Sequence, residues 1–379
     1  MNALYLLEQM QKNNVDIEAF EFNKNNPYAE VIERIKIPEM PTKYQDRVCY
    51  CAFKDAFEVL FSVLPHFKER WKEKWDINDI ARENIKFGTI SNPKFNSASY
   101  KVNESEYLIV INEGVLSFLN EMSTLMVEFL FTDDLISYET LVHNLKLKPH
   151  IVKEFIIKML AYYFFYHTWQ GQKKKIKKSD LFWRIRDAVA FESRVFVCAH
   201  ELGHILLGHL ETENEIWERE FQADRFAALI MFGELNIHPV FLSVASAMML
   251  GILECIDRMN GKFLVKHKSQ HPLSYVRANK VGGIAFRILG YEASNPFQLT
   301  RMLINILWDE FMDFTLYLTI EKKIDLKKDR FGEMQAILEQ EYVLPERDYE
   351  EYFDSWLGSG YSIVRGFYNS EQIMEGDIL

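Results

Sequence analysis

The stretch VCAHELGHILLGHLE, Val197–Glu211, decides how this chain is read. His200 and His204 stand four residues apart. On an α-helix that spacing places both imidazoles on one face, a turn apart, where both reach one metal ion. Glu201 lies about 100° further round such a helix. It need not ligate; it stands instead beside the attacking water, where a carboxylate serves as general base. The preceding SRVFVCA is largely apolar and compatible with a helix. Gly203 and Gly208 are costly in one. Gly203 falls between the histidines, where a missing side chain lets another backbone or a substrate come close. His209, nine residues after His200, projects to nearly the opposite face of a continued helix and is left out of the site. The competing reading is an ordinary helix that happens to carry two histidines.

A catalytic zinc needs a third protein ligand and one open position. ENEIWEREFQADRFAALIMFG, Glu213–Gly233, supplies a candidate. Ile216, Glu220, Ala223, Asp224, Ala227 and Met231 share one helix face, apolar except for its two acids. Ala223 and Ala227 are small enough for this face to pack closely on the His200 helix. Buried carboxylates are costly unless ligated or hydrogen-bonded. Glu220 is therefore the expected third ligand, and Asp224, one turn on, is placed to orient a ligand histidine through its free ring N–H. Glu211, Glu213, Glu215 and Glu218 read as solvated charge around the connection.

HELGH followed by EFQAD resembles the gluzincin metallopeptidases. The H-E-x-x-H and E-x-x-A-D pattern is that of the CAAX-prenyl-protease and heat-shock-membrane-protease branch. HPLSYVR, His271–Arg277, is similar to the H-P-x-x-x-x-R segment of that branch. The resemblance covers roughly Cys198–Arg277. It implies His200, His204 and Glu220 as ligands of one zinc ion per chain, Glu201 as base and Asp224 as the residue behind a ligand. It further implies His271 as a hydrogen-bond donor to the oxyanion, with Tyr275 a weaker candidate; Arg277 reads as a structural ion pair. Members of that branch usually carry transmembrane helices, and none is found here. INEG after the strand, with H-E-x-x-H in a mostly helical chain, also resembles the Lit-type phage-exclusion peptidases. The expectation is a zinc-dependent endopeptidase acting on a protein or peptide substrate, with narrow or regulated specificity. The alternative is an inactive zinc-binding interaction protein. Another divalent metal remains open.

The rest of the sequence sets bounds. A chain of 379 residues, 48% apolar and 26% charged, has the balance of a globular protein with a sizeable core. A formal net charge of −11 argues against nucleic acid as a partner. Cys49, Cys51, Cys198 and Cys255 read as reduced thiols, and no secretory signal is visible at the N-terminus, so the expectation is cytoplasmic. Phe155–Trp169 is interrupted by Lys158 and His167. Pro239–Ile256 is short of a span, so a membrane location is not expected. The basic loop Gly171–Asp180 reads as a solvated connection. The fold class expected is α+β, mainly helical: a zincin-like core with a small antiparallel sheet, read as a meander over Ile85–Gly114. Helices are expected near 115–132, 148–169, 180–210, 215–233, 239–258, 272–290, 298–322 and 328–341. The organisation expected is a helical N-terminal region (1–84), a peptidase core (85–290) and a helical C-terminal region (291–379). Oligomeric state is not readable.

Overall fold

YLIVIN, Tyr107–Asn112, forms the middle strand of a three-stranded sheet, and all six of its residues are buried. In this computed structural model the sheet joins Ile85–Ile90 (β1), Ser97–Lys101 (β2) and Tyr107–Asn112 (β3) in the order β1-β3-β2. The structure describes residues 2–12, 45–71, 73–92, 94–131, 137–165, 179–211, 216–259, 274–324, 331–349 and 351. The pairing of β2 with β3 is antiparallel, but β1 runs parallel to β3, so the sheet is mixed and not the antiparallel meander expected. The reason lies in composition. A strand without polar alternation is best placed with a neighbour on each edge and cover on each face, and β3 takes that place by inserting between β1 and β2.

SASYK, the sequence of β2, alternates and suits an edge. Ala98 and Tyr100 share a face with Leu108, Val110 and Ile90, and α1 (Ala3–Lys12) covers it with Leu6, Leu7 and Met10. Ser97, Ser99 and Lys101 pair with Ile111, Ile109 and Tyr107 and point the other way, towards the helices.

The helices are α2 (Gln45–Trp71), α3 (Glu113–Leu130), α4 (Tyr138–Leu147), α5 (Pro149–Phe165), α6 (Asp180–Leu206), α7 (Ile216–Gly233), α8 (Pro239–Met259), α9 (Ser274–Leu316) and α10 (Phe331–Gln340). Thus the fold is α+β and mainly helical. α4 was not expected; Ser137 caps it by accepting the Thr140 N–H. The two helices expected over 272–322 follow one another as α9, interrupted at Gly290 (φ 80°, ψ 177°), and a short π-helical turn, Tyr317–Glu321, ends the second. Pro239–Met259 is α8. Among the described residues it is the one helix long and apolar enough to cross a membrane; most of it is buried in the fold, against α6 and α9. α6 lies at the centre, packed on α2, α3, α7 and α8 and against β2. One continuous apolar core runs from Phe53 on α2 to Tyr349 beyond α10. Gly171–Lys178 of the basic loop lie outside the described residues.

Candidate metal centre

The chain enters α6 through Ser179, whose hydroxyl accepts the Phe182 N–H at 3.1 Å, and leaves it at Leu206. His200, Glu201 and His204 therefore occupy its last turns. Gly203 lets α7 approach: a Cβ built there would lie 3.3 Å from the Cα of Ala223 and 3.1 Å from the Phe226 ring. That close crossing brings the Glu220 and Asp224 face of α7 against the histidines, and both acids are buried.

His200, His204 and Glu220 each offer an atom within 4.8 Å of the others. The Nε2 atoms of the two histidines are 3.1 Å apart. Glu220 Oε2 lies 3.5 Å from His200 Nε2, and Oε1 lies 3.5 Å from His204 Nε2. Behind His200, Nδ1 donates to Asp224 Oδ1 at 3.0 Å. Arg277 grips Asp224 with two bonds, Nε to Oδ2 at 2.7 Å and Nη2 to Oδ1 at 2.8 Å, and its Nη1 is 3.2 Å from Glu220 Oε2. Arg277 thus balances both buried acids from the first turn of α9.

The electrostatics show what this donor set suits. Burial works against a charged His200, but the hydrogen bonds and charges of Asp224 and Glu220 outweigh it and hold the imidazole up to about 10. Burial drops His204 to about 3, reinforced by the charges of His200, His209 and Arg277 against the pull of Glu220. Burial opposes the Asp224 charge as well, but Arg277 and His200 keep its carboxyl below the usual range. With one proton on Nδ1 held by Asp224, the ring position that His200 turns towards His204 and Glu220 is Nε2, whose proton a metal would replace. Two imidazole nitrogens and a carboxylate then face one another, an arrangement that calls for a cation or a proton between them. The residues fit a divalent metal held by two histidines and one glutamate.

Glu201 is 4% exposed and both its oxygens are engaged: Ser97 Oγ donates to Oε1 at 2.6 Å and Ser99 Oγ to Oε2 at 2.7 Å. Ser99 reaches the Glu201 carbonyl as well, at 2.9 Å. The strand beside the motif is therefore β2, an edge strand, while β3 has both edges paired. The two serines were missed; the two-residue alternation of SASYK shows that they share a face, though not which helix they meet.

His209 was left out on the assumption that the helix continues. It ends at Leu206, and Gly208 at φ 69° turns the chain back. The His209 N–H then donates to the His204 carbonyl at 3.0 Å, and its Nδ1 lies 3.1 Å from His204 Nδ1. The premise of a continued helix is corrected, while His209 stays outside the metal-facing group: 2% exposed, it stands directly behind His204. Gly208, the helix-stop residue in the motif itself, is the signal that could have found it. His271 lies outside the described residues, and Tyr275 is 38% exposed on the first turn of α9.

The Peptidase_M78 family model, described as an IrrE N-terminal-like domain, matches residues 184–242, the span from α6 through α7 that carries all three metal-facing residues. This supports a metallopeptidase-like reading of that segment. The family differs from the branch that the motifs resemble, and neither that resemblance nor the Lit-type one gains from it. No curated protein and no solved structure matches the chain.

Proposed function

We propose that this chain is a zinc-dependent endopeptidase that hydrolyses a protein or peptide substrate within a narrow or regulated range. The observation that carries the reading is the convergence of His200, His204 and Glu220, with a carboxylate one residue from the first histidine, inside the segment that matches a peptidase family. Zinc bound there would supply Lewis acidity, polarising the scissile carbonyl and acidifying the attacking water. Glu201 takes the proton from that water at its carboxylate and returns it to the leaving amine. Ser97 and Ser99 hold the Glu201 carboxylate in place through both of its oxygens. β2 has no strand on its outer side among the described residues, and an extended substrate can pair with that edge. Asp224 holds His200 by its far nitrogen, and Arg277 holds Asp224.

The test compares zinc-loaded wild type with Glu201→Gln on a cell extract, reading new protein N-termini by mass spectrometry. New termini from wild type that fall at least a hundredfold in the variant support hydrolysis with Glu201 as base. Equal patterns from both would instead favour a metal-binding protein without peptidase activity.

A further inference from the structure

His209 Nε2 lies 2.8 Å from Gln222 Oε1 on α7, and Gln222 Nε2 donates to Glu218 Oε1 at 3.2 Å. With the His204–His209 contact, this makes a line of four side chains running outward from the site. The line has a direction. A carboxylate only accepts, so Gln222 turns its NH₂ to Glu218 and its carbonyl oxygen to His209. His209 must then carry its proton on Nε2 and present a lone pair at Nδ1. His204 Nδ1, 3.1 Å away, is the donor, and the Nε2 lone pair of His204 is left facing His200 and Glu220.

From this we infer that His209, backed by Gln222, is a positioning residue that fixes the tautomer and ring orientation of ligand His204. The inference rests on the metal-site reading above and deepens it. The two histidines are supported unlike one another: His200 by an anion, Asp224, itself neutralised by Arg277, and His204 by a neutral imidazole. Arg219 Nη1 donates to the His209 carbonyl at 2.9 Å, and Gly208 sets the turn, so the supporting ring is held by its backbone as well as by its side chain.

The experiment measures zinc affinity of the full chain by competition with a chelator. Wild type is compared with His209→Phe, which keeps a ring without nitrogen, and His209→Gln, which keeps an acceptor. The expected result is roughly 10- to 100-fold weaker binding in His209→Phe and recovery of most of the loss in His209→Gln. Alongside it, long-range ¹H–¹⁵N spectra of zinc-loaded wild type should show His204 protonated at Nδ1 and metallated at Nε2. This readout holds even where His209→Phe fails to fold. Wild-type affinity in His209→Phe, or a His204 bound through Nδ1, overturns the role of His209 while leaving the metal site standing. A wild type that takes up no zinc overturns both.

Discussion

At the scale of single residues, metal-free His200 holds a proton that ligation must displace. Its pKa stands at about 10 with Asp224 and Glu220 beside it, so the ring is charged below that value and neutral above it. Ligation needs the neutral form. Zinc binding at pH 7 should therefore release about one proton, with affinity falling as pH is lowered. Calorimetric titration in buffers of different ionisation enthalpy reads the number directly; a heat independent of buffer would contradict it. Arg277 supports a second expectation. Its removal in Arg277→Met leaves the two buried acids, Asp224 and Glu220, with the His200 imidazolium but without the guanidinium that bridges them, costing about 3–5 kcal/mol in denaturant unfolding of the metal-free chain. Added zinc should recover part of that loss. Most of these residues were legible, because His200, His204, Glu220 and Asp224 sit on helices long enough for the 3.6-residue period to assign their faces. His209 was not, since periodicity says nothing once a helix has ended.

At the scale of elements, the turn after α6 is the joint on which the site depends. Gly208 adopts a left-handed conformation, and a Cβ there would stand 3.1 Å from Asn78 Nδ2. Asn78 itself donates its N–H to the Leu206 carbonyl at 2.8 Å, closing the end of α6. Gly208→Ala should lower stability by about 1–2 kcal/mol and weaken zinc binding through the displaced His209. Urea unfolding and chelator competition on the same sample check both, and an unchanged variant would show that the turn is not under constraint. The strands show where sequence reading stops. An unbroken apolar run marked β3 as a buried strand, but which strand it would neighbour depends on the whole layer, and the parallel pairing with β1 follows from placement rather than from any local signal. Helix α4 escaped notice although Ser137 before it is an ordinary capping residue.

At the scale of the molecule, the site ties two consecutive helices to a third further along the chain: α6 gives His200 and His204, α7 gives Glu220 and Asp224, and α9 gives Arg277. They share one core with α2, α3, α5 and α8. A ligand that binds only the folded arrangement stabilises the whole chain, so zinc at a hundredfold excess over its Kd should add about 2.7 kcal/mol to unfolding. Glu220→Ala should lose that gain, which thermal unfolding with and without metal would show. The helical class followed from composition, but the reading of Pro239–Ile256 as too short to span is corrected: the helix is long enough, and packing against α6 and α9 is what buries most of it. The crossing of α6 on α7 was foreshadowed by Gly203 and Ala223. The partnership of Arg277 with Asp224 joins residues 53 positions apart, and only the folded chain displays it.

The central claim is that His200, His204 and Glu220 hold one metal ion, and metal content measured by mass spectrometry on untagged full-length protein tests it most directly. About one zinc per chain in the wild type, lost in Glu220→Ala, is the expected result. A wild type that retains no metal after zinc is supplied would contradict the claim and leave HELGH as the end of a helix with two histidines.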